Sequence, residues 1–333
     1  MLKQFASGIA ITGSGSAVPE FALDNQTLTQ LVDTSDEWIT TRTGIRQRRL
    51  ATAEESLTTI ATQAAQGAIA MAGIQPTDLD LIILATSTAD DLFGSATKIQ
   101  HLLGANQAVA FDLTAACSGF IFGLVTASQF IRTGVYQNVL LIGADILSRW
   151  VDWSDRRSCV LFGDGAGAVV LQATDQEDRL LGFELRSDGT QSDCLNVAYQ
   201  AHPRELMEGV AIAQGSYCPI DMNGKEVYRF AVQKVPEVIE KALFRANLTV
   251  DNIDWLLLHQ ANQRILDAVA QRLKIPDHKV ISNLAHYGNT SAASIPLALD
   301  EAVRQGKVKP GDIIASSGFG AGLTWGAAIF KWG

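Results

Sequence analysis

The chain carries the same run of segments twice. Asp80-Leu-Ile-Ile-Leu-Ala-Thr-Ser is matched by Asp254-Trp-Leu-Leu-Leu-His-Gln-Ala, and each follows a helix-like stretch, Ala61 to Gly73 and Phe230 to Asn247. Val109-Ala-Phe-Asp-Leu, then Cys117-Ser-Gly, precedes an apolar helix and the strand from Asn138. Val280-Ile-Ser-Asn-Leu, then Asn289-Thr-Ser, likewise precedes a helix and a strand from Asp312. Finally, Gly163-Asp-Gly-Ala-Gly167 and Gly318-Phe-Gly-Ala-Gly322 are each expected to open a strand. One apolar strand resembles another, but several matches in one order argue for duplication.

Strands alternating with helices at about 30 residues per unit imply βαβ crossovers and largely parallel sheets buried on both faces. The class is therefore α/β, with duplicated βαβαβ halves packed together. We divide the chain into residues 1–175 and 176–333. The stretch from about Asp188 to Asp221 has no partner in the other half and is rich in Gly, Ser, Pro and scattered charge. It reads as an irregular surface insertion. The duplication sets Cys117 and Asn289 at equivalent positions, each starting its helix, so a site at the interface of the halves follows.

Composition excludes several classes. With 47% hydrophobic and 18% charged residues among 333, the chain has ample material for a core. A net charge of −9 argues against nucleic acid or an anionic membrane as a general partner. Met1 to Thr12 lacks the long apolar core of a signal peptide and reads as a first strand. No segment approaches the roughly 20 apolar residues that span a bilayer. The four cysteines, 117, 159, 194 and 218, form no CxxC pair. That spacing fits a reducing, cytoplasmic compartment without structural disulfides.

Three side chains are candidates for chemistry. Cys117 lies where an apolar strand passes through small residues into a helix; it is either a small buried core residue or a nucleophile, since free N–H groups at a helix start favour a thiolate. His259 follows Trp255-Leu-Leu-Leu258, at the strand end where open α/β sheets place ligands. It is a structural histidine or a site residue. Asn289, in His286-Tyr-Gly-Asn-Thr-Ser, is a helix cap or a third member. Gly163-Asp-Gly-Ala-Gly167 matches no nucleotide fingerprint and no Lys-Ser/Thr follows it, so it reads as structural.

Together, Cys117, His259-Gln-Ala-Asn262, Gly288-Asn-Thr-Ser-Ala-Ala-Ser-Ile-Pro296 and Gly318-Phe-Gly-Ala-Gly-Leu-Thr-Trp-Gly326 resemble the β-ketoacyl-acyl carrier protein synthase III family of the thiolase superfamily. The resemblance runs from Gly13 to the C-terminus and includes Val32 to Arg46 and Leu161 to Gly167. It implies a thiolase-like, layered α/β/α/β/α core. It also implies an initiating condensing enzyme of fatty acid synthesis: acyl-CoA and malonyl-acyl carrier protein give 3-oxoacyl-carrier protein, CoA and CO2. Relatives that elongate longer chains use Cys-His-His, so His259 with Asn289 points to the initiating branch.

These residue types suit that chemistry. A thiolate holds the acyl group as a thioester, which splits one difficult condensation into two steps. Loss of CO2 from a malonyl thioester leaves an enolate, which a neutral His N–H and an Asn amide stabilise without a strong base. The resemblance further implies an oxyanion hole from the backbone N–H groups of Cys117 and Ala321. The family often has Gly at the latter position, and a Cβ there keeps φ negative unless strain is accepted.

By the same resemblance Thr34, Trp38, Arg42, Arg156 and Asn262 contact CoA, with adenine between the Trp38 ring and the Arg156 guanidinium. Arg264 and Arg272, near one face of a helix, with Arg229, give an acidic protein a basic patch for an acidic carrier. Phe93 and Phe319 bound the acyl pocket; Phe93 reaches across a homodimer interface, and its bulk favours a short, acetyl-sized primer. No permanently bound cofactor or metal is expected; CoA and phosphopantetheine thioesters are substrates. The alternatives are a polyketide or other specialised starter enzyme, a hydroxymethylglutaryl-CoA synthase, and a non-catalytic partner subunit. A Glu would be expected in place of Asn289 in the second, and loss of Cys117 in the third. A cysteine protease also orders Cys, His and Asn, but Cys-Gly-Ser-Cys-Trp is absent and the duplication is foreign to that class.

Overall fold

The computed structural model describes residues 8–333. Of the first strand expected over Met1 to Thr12, residues 1–7 lie outside the described residues, and the strand itself is β1, Gly8–Ala17. The first sheet adds β2 (Leu81–Ala85), β3 (Val109–Leu113), β4 (Asn138–Ile146) and β5 (Asp164–Thr174). The second is built from β6 (Leu180–Ser187), β7 (Trp255–Leu258), β8 (Val280–Ile281), β9 (Ile313–Gly320) and β10 (Thr324–Lys331).

Strand order is β1-β5-β4-β2-β3 in one sheet and β6-β10-β9-β7-β8 in the other, the same order element for element. Each sheet is mixed rather than largely parallel, because β5 and β10 run against both of their neighbours. Both are joined to the preceding strand by a connection with no crossover helix, which an antiparallel pair permits. Gly163 to Gly167 leads into β5 as expected. Gly318 to Gly320 instead ends β9, and β10 begins only at Thr324.

The apolar strands alternate faces, which builds the layers. Leu81 and Ile83 face inward with Leu257 and Ile314, onto the middle helices α3 (Gly119–Arg132) and α6 (Ser294–Arg304). Ile82 and Leu84 face outward onto α2 (Leu57–Ala72), whose Ala61, Ala64, Ala65 and Ala68 allow close packing. Ser56 caps α2 at its start, and Gly73 ends it at φ 69°. In the second sheet Leu256 and Leu258 meet α4 (Gly224–Arg245) and α5 (Gln263–Leu273). Each such Leu or Ile contributes roughly 1.5–3 kcal/mol by burial.

The segment between β6 and α4 is more regular than composition suggested. After a short turn it forms an exposed hairpin, Tyr199–Met207 with Val210–Tyr217, closed by Glu208 and Gly209. Gly209 sits at φ 76°, which that two-residue turn requires. No helix among the described residues is long and apolar enough to cross a membrane. All four cysteines are free.

Candidate active site

Cys117 lies in a short 3-10 turn, Ala116–Ser118, that feeds α3. The same elbow recurs as Ser291–Ala293 before α6. Ala116 and Ser291 both stand in the left-handed region, at φ 46° and 51°, uncommon for residues with a side chain. The structural counterpart of Cys117 is therefore Ala292, not Asn289. The connection from β8 to its elbow is longer than that from β3, because it contains the helical turn Leu284–Tyr287. Asn289 sits on that longer connection, before the elbow.

The elbows pack crosswise on the sheets. A Cβ on Gly143 of β4 would stand 2.2 Å from the Ala292 carbonyl oxygen, and one on Gly318 of β9 would stand 3.1 Å from Ser118 Cα. Leu81 pairs with Val139 as Trp255 pairs with Ile314, and this register makes Gly143 and Gly318 counterparts. By the same register Ala85 matches His259, and Asp145 matches Gly320. Gly119 and Ser294 likewise open the two middle helices. The site is where the two halves stop being alike.

Cys117 is 8% exposed, His259 2% and Asn289 8%. Ser291 Oγ donates to Cys117 Sγ at 3.3 Å, and the Ser291 N–H donates to Asn289 Oδ1 at 2.9 Å. Asn289 is also tied to the first half: its N–H donates to Leu161 O, and its carbonyl accepts from Gly163 N. With Oδ1 engaged, the NH2 end of Asn289 is left for another partner. Burial pushes the Cys117 thiol up to about 12, with Ser291 opposing and Asp145 adding to the rise. Burial thus opposes ionisation of Cys117, against the helix start that favours the thiolate.

His259 is pushed down to about 3 by burial, so it is neutral as expected. Its Nδ1 lies 2.7 Å from Ser294 Oγ, which also accepts from the Gln260 N–H at 3.3 Å. In the tautomer in which the Ser294 hydroxyl donates to Nδ1, the imidazole proton sits on Nε2. The Phe319 ring lies edge-on to His259, centroids 5.3 Å apart, so this acyl-pocket candidate packs against the histidine.

At the turn after β9, Gly320 stands against the elbow, and a Cβ on it would be 2.6 Å from Cys117 N. Thr324 Oγ1 fastens the two, reaching Ala321 O at 3.1 Å, Ala115 O at 3.2 Å and Ser118 Oγ at 2.8 Å. Ala321 is not in the left-handed region, so its Cβ carries no strain. Gly163 is structural: a Cβ there would meet the Tyr287 carbonyl oxygen at 2.2 Å.

Trp38 and Arg42 lie on α1, Asp36–Thr43, with the Arg42 and Arg156 guanidinium carbons 6.0 and 5.4 Å from the Trp38 ring centroid. At 5.4 Å the Arg156 group rests on the ring itself, so an adenine between them requires Arg156 to move away. Arg156 is also bound to Asp33 O. Thr34 Oγ1 is buried without a hydrogen-bond partner. Asn262 is committed at both ends: it caps α5 through Arg264 N and donates to Arg42 O, so it joins α5 to α1.

Arg229, Arg264 and Arg272 gather on the paired helices α4 and α5. Arg264 lies over Tyr228, Arg272 reaches Val232 O, and Arg229 pairs with Glu226. Phe93 is 98% exposed and lines nothing in its own chain. Sequence reasoning assigned no role to Asp145, Ser291, Ser294 or Thr324. The two serines lie in the stretch Gly288 to Pro296 and Thr324 in Gly318 to Gly326, whereas Asp145 lies outside every motif quoted.

Duplicated mixed sheets with crosswise elbows define the class, an enzyme of the thiolase fold. Sequence models of 3-oxoacyl-[acyl-carrier-protein] synthase III and of its C-terminal part match residues 111–189 and 243–332. The chain is 78% identical over 326 residues to the beta-ketoacyl-[acyl-carrier-protein] synthase III of Nostoc sp., covering 98% of each. The crystal structure of the synthase III of Aquifex aeolicus superposes with a TM-score of 0.90 at 45% identity, covering 98% of this chain and 100% of that one. A priming β-ketosynthase from the R1128 polyketide pathway is 34% identical, with a TM-score of 0.89 and coverage of 98% and 97%. The chain belongs to the 3-oxoacyl-[acyl-carrier-protein] synthase III family. It is an acyltransferase, an initiating condensing enzyme of fatty acid synthesis.

Proposed function

We propose that Cys117 takes an acyl group from acyl-CoA and that His259 and Asn289 then stabilise the enolate formed when malonyl-acyl carrier protein loses CO2. The observation that carries this reading is the meeting of the halves: Cys117 Sγ, on the first elbow, is hydrogen-bonded to Ser291, whose N–H fixes Asn289. In the first step the Cys117 sulfur attacks the thioester carbonyl and CoA departs. The oxygen that becomes negative is received by the N–H groups of Cys117 and Ala321, the latter held beside the elbow by Thr324.

In the second step the malonyl carboxylate leaves as CO2 and its electron pair forms the enolate. Two neutral donors meet that oxygen: His259 Nε2–H, set by Ser294, and the Asn289 amide. Each preorganised donor contributes on the order of 3 kcal/mol. The enolate carbon attacks acyl-Cys117, and the sulfur is released. We assign Thr34, Trp38, Arg42 and Arg156 to CoA, Asn262 to holding α5 against α1, and Arg229, Arg264 and Arg272 to the acidic carrier. Phe93 we assign to the acyl pocket of a second copy in a homodimer, which its exposure supports. The division of the chain into halves, 1–175 and 176–333, is part of the same proposal, as is a reducing, cytoplasmic setting, consistent with four free cysteines.

The test separates the half-reactions. His259→Ala and Asn289→Ala are expected to impair malonyl decarboxylation by about 100-fold or more while Cys117 still takes up the acyl group. Equal loss in both steps would make His259 the base of the thiol and overturn the assignment.

A further inference from the structure

Asp145 is fully buried at the C-terminal end of β4, and no cation pairs with it among the described residues. Its partners all donate. Oδ1 accepts from Thr86 Oγ1 at 3.1 Å, Ser87 N at 2.9 Å and Thr88 Oγ1 at 2.8 Å, and Oδ2 accepts from Ala292 N at 3.2 Å. The two threonine hydroxyls each accept a backbone N–H elsewhere, from Thr88 and Ile146, which turns their protons towards Asp145. A set made only of donors suits a carboxylate, while burial pushes the Asp145 carboxyl above its ordinary value and so makes it a readier proton acceptor.

An unpaired buried charge is costly, and structures that keep one usually use it. The Ser291 side chain reaches both Asp145 and Cys117 Sγ. A hydroxyl has one proton and serves only one of two acceptors. When it donates to Asp145, the Cys117 S–H donates to it instead. Ser291 occupies the left-handed position that Ala116 fills in the other elbow, so the hydroxyl is not needed to build the turn.

We infer that Asp145, through Ser291, takes the proton of Cys117 as the thiol is acylated, and returns it when the sulfur is released. This rests on the reading of Cys117 as the nucleophile. As the bond from Sγ to the acyl carbon forms, the thiol proton passes to Ser291 Oγ and the Ser291 proton passes to the Asp145 carboxylate. The bond from acyl carbon to CoA sulfur breaks with its electron pair on CoA, which leaves as a thiolate and is protonated by water. After condensation the Cys117 sulfur leaves as a thiolate and recovers its proton by the reverse route. Cys117 and Asp145 thus share one proton, because two adjacent anions in one buried space repel. The groups facing the pair are Thr86, Ser87, Thr88, Ser291 and Ala292, none of them charged.

The experiment follows acetyl transfer from acetyl-CoA to Cys117 by rapid quench and intact mass, from pH 6 to 9.5, beside the pH profile of Cys117 alkylation by iodoacetamide. Ser291→Ala is expected to slow acetylation at pH 7 by tenfold or more, with the deficit shrinking as pH rises. Asp145→Asn is expected to slow acetylation yet raise the rate of Cys117 alkylation at each pH in the range, because a like charge is gone. If Asp145→Asn does not fold, Ser291→Ala carries the test, since Ala116 shows that alanine accepts the position. Acetylation of Ser291→Ala at the wild-type rate and pH profile would overturn the relay. So would an Asp145→Asn enzyme slowed in acetylation with its alkylation rate unchanged, for then Asp145 merely holds the elbow. A wild-type Cys117 that never takes up acetyl would instead overturn the nucleophile assignment.

Discussion

Asp145 and Gly320 hold the same position in the two sheets and treat the opposing elbow in opposite ways. Asp145 caps the Ala292 N–H with a carboxylate oxygen at 3.2 Å. Gly320 presents no side chain to the Cys117 N–H, and a Cβ there would stand 2.6 Å from that nitrogen. One half satisfies its elbow donor internally; the other sets only a glycine beside it, where the proposed function places a substrate oxygen. Gly320→Ala is therefore expected to lower the rate of Cys117 acylation by about 100-fold or more, the scale of losing one oxyanion donor. Stopped-flow acylation with a melting curve on the same sample checks it. Wild-type acylation in a folded variant would show that Cys117 N is not a donor to the reaction.

Ser294 should matter through the imidazole it orients and not through substrate contact. Ser294→Ala is expected to reduce malonyl decarboxylation about tenfold or more, since a buried hydrogen bond lost on one side costs about 1–3 kcal/mol, while acyl transfer is kept. Nitrogen NMR of labelled histidine should show the proton on Nε2 in the wild type and a mixture of tautomers in the variant. An unchanged tautomer would detach Ser294 from the chemistry.

Burial holds His259 near 3, below its ordinary value of 6.5. Between those values the unfolded chain binds a proton that the folded chain refuses. This residue's contribution is therefore complete above about pH 6.5 and falls as pH drops towards 3, by about 1.4 kcal/mol per pH unit. Urea unfolding of wild type and His259→Gln at pH 7 and pH 5 measures the difference. The wild type should lose more stability than the variant over that step; equal losses would place a charged histidine in the folded protein.

Much of this was legible because apolar strands and their order are written directly in the chain. Asp80 to Ser87 and Asp254 to Ala261 correspond, and the two sheets share one strand order. The mixed pairing was not legible, since strand direction depends on which connections lack a crossover helix, and Gly163 and Gly318 look alike on paper. The elbow correspondence slipped because the extra turn Leu284–Tyr287 shifts Asn289 off the position of Cys117. Residue type suggested the chemistry of Cys117, His259 and Asn289. It did not show how strongly burial would oppose ionisation of the thiol, because that burial arises only where the two halves meet.

The exposed Phe93 ring tests the dimer and the primer together. If it closes a neighbouring subunit's pocket, Phe93→Thr should shift preference from acetyl-CoA towards medium-chain acyl-CoA, by several-fold per carbon, since each buried methylene is worth roughly 0.8 kcal/mol. Competition assays with mixed acyl-CoAs, read by product mass, report the shift. An unchanged chain-length profile, or a fully active monomer in sedimentation, would remove Phe93 from the pocket.

The most direct measurement is the site of acylation. Purified enzyme mixed with acetyl-CoA alone, without carrier protein, should gain one acetyl group, and peptide mass spectrometry should place it on Cys117, with Cys159, Cys194 and Cys218 unmodified. Acetyl on any of those three with Cys117 free, or no acetyl-enzyme at all under conditions of turnover, would contradict the account.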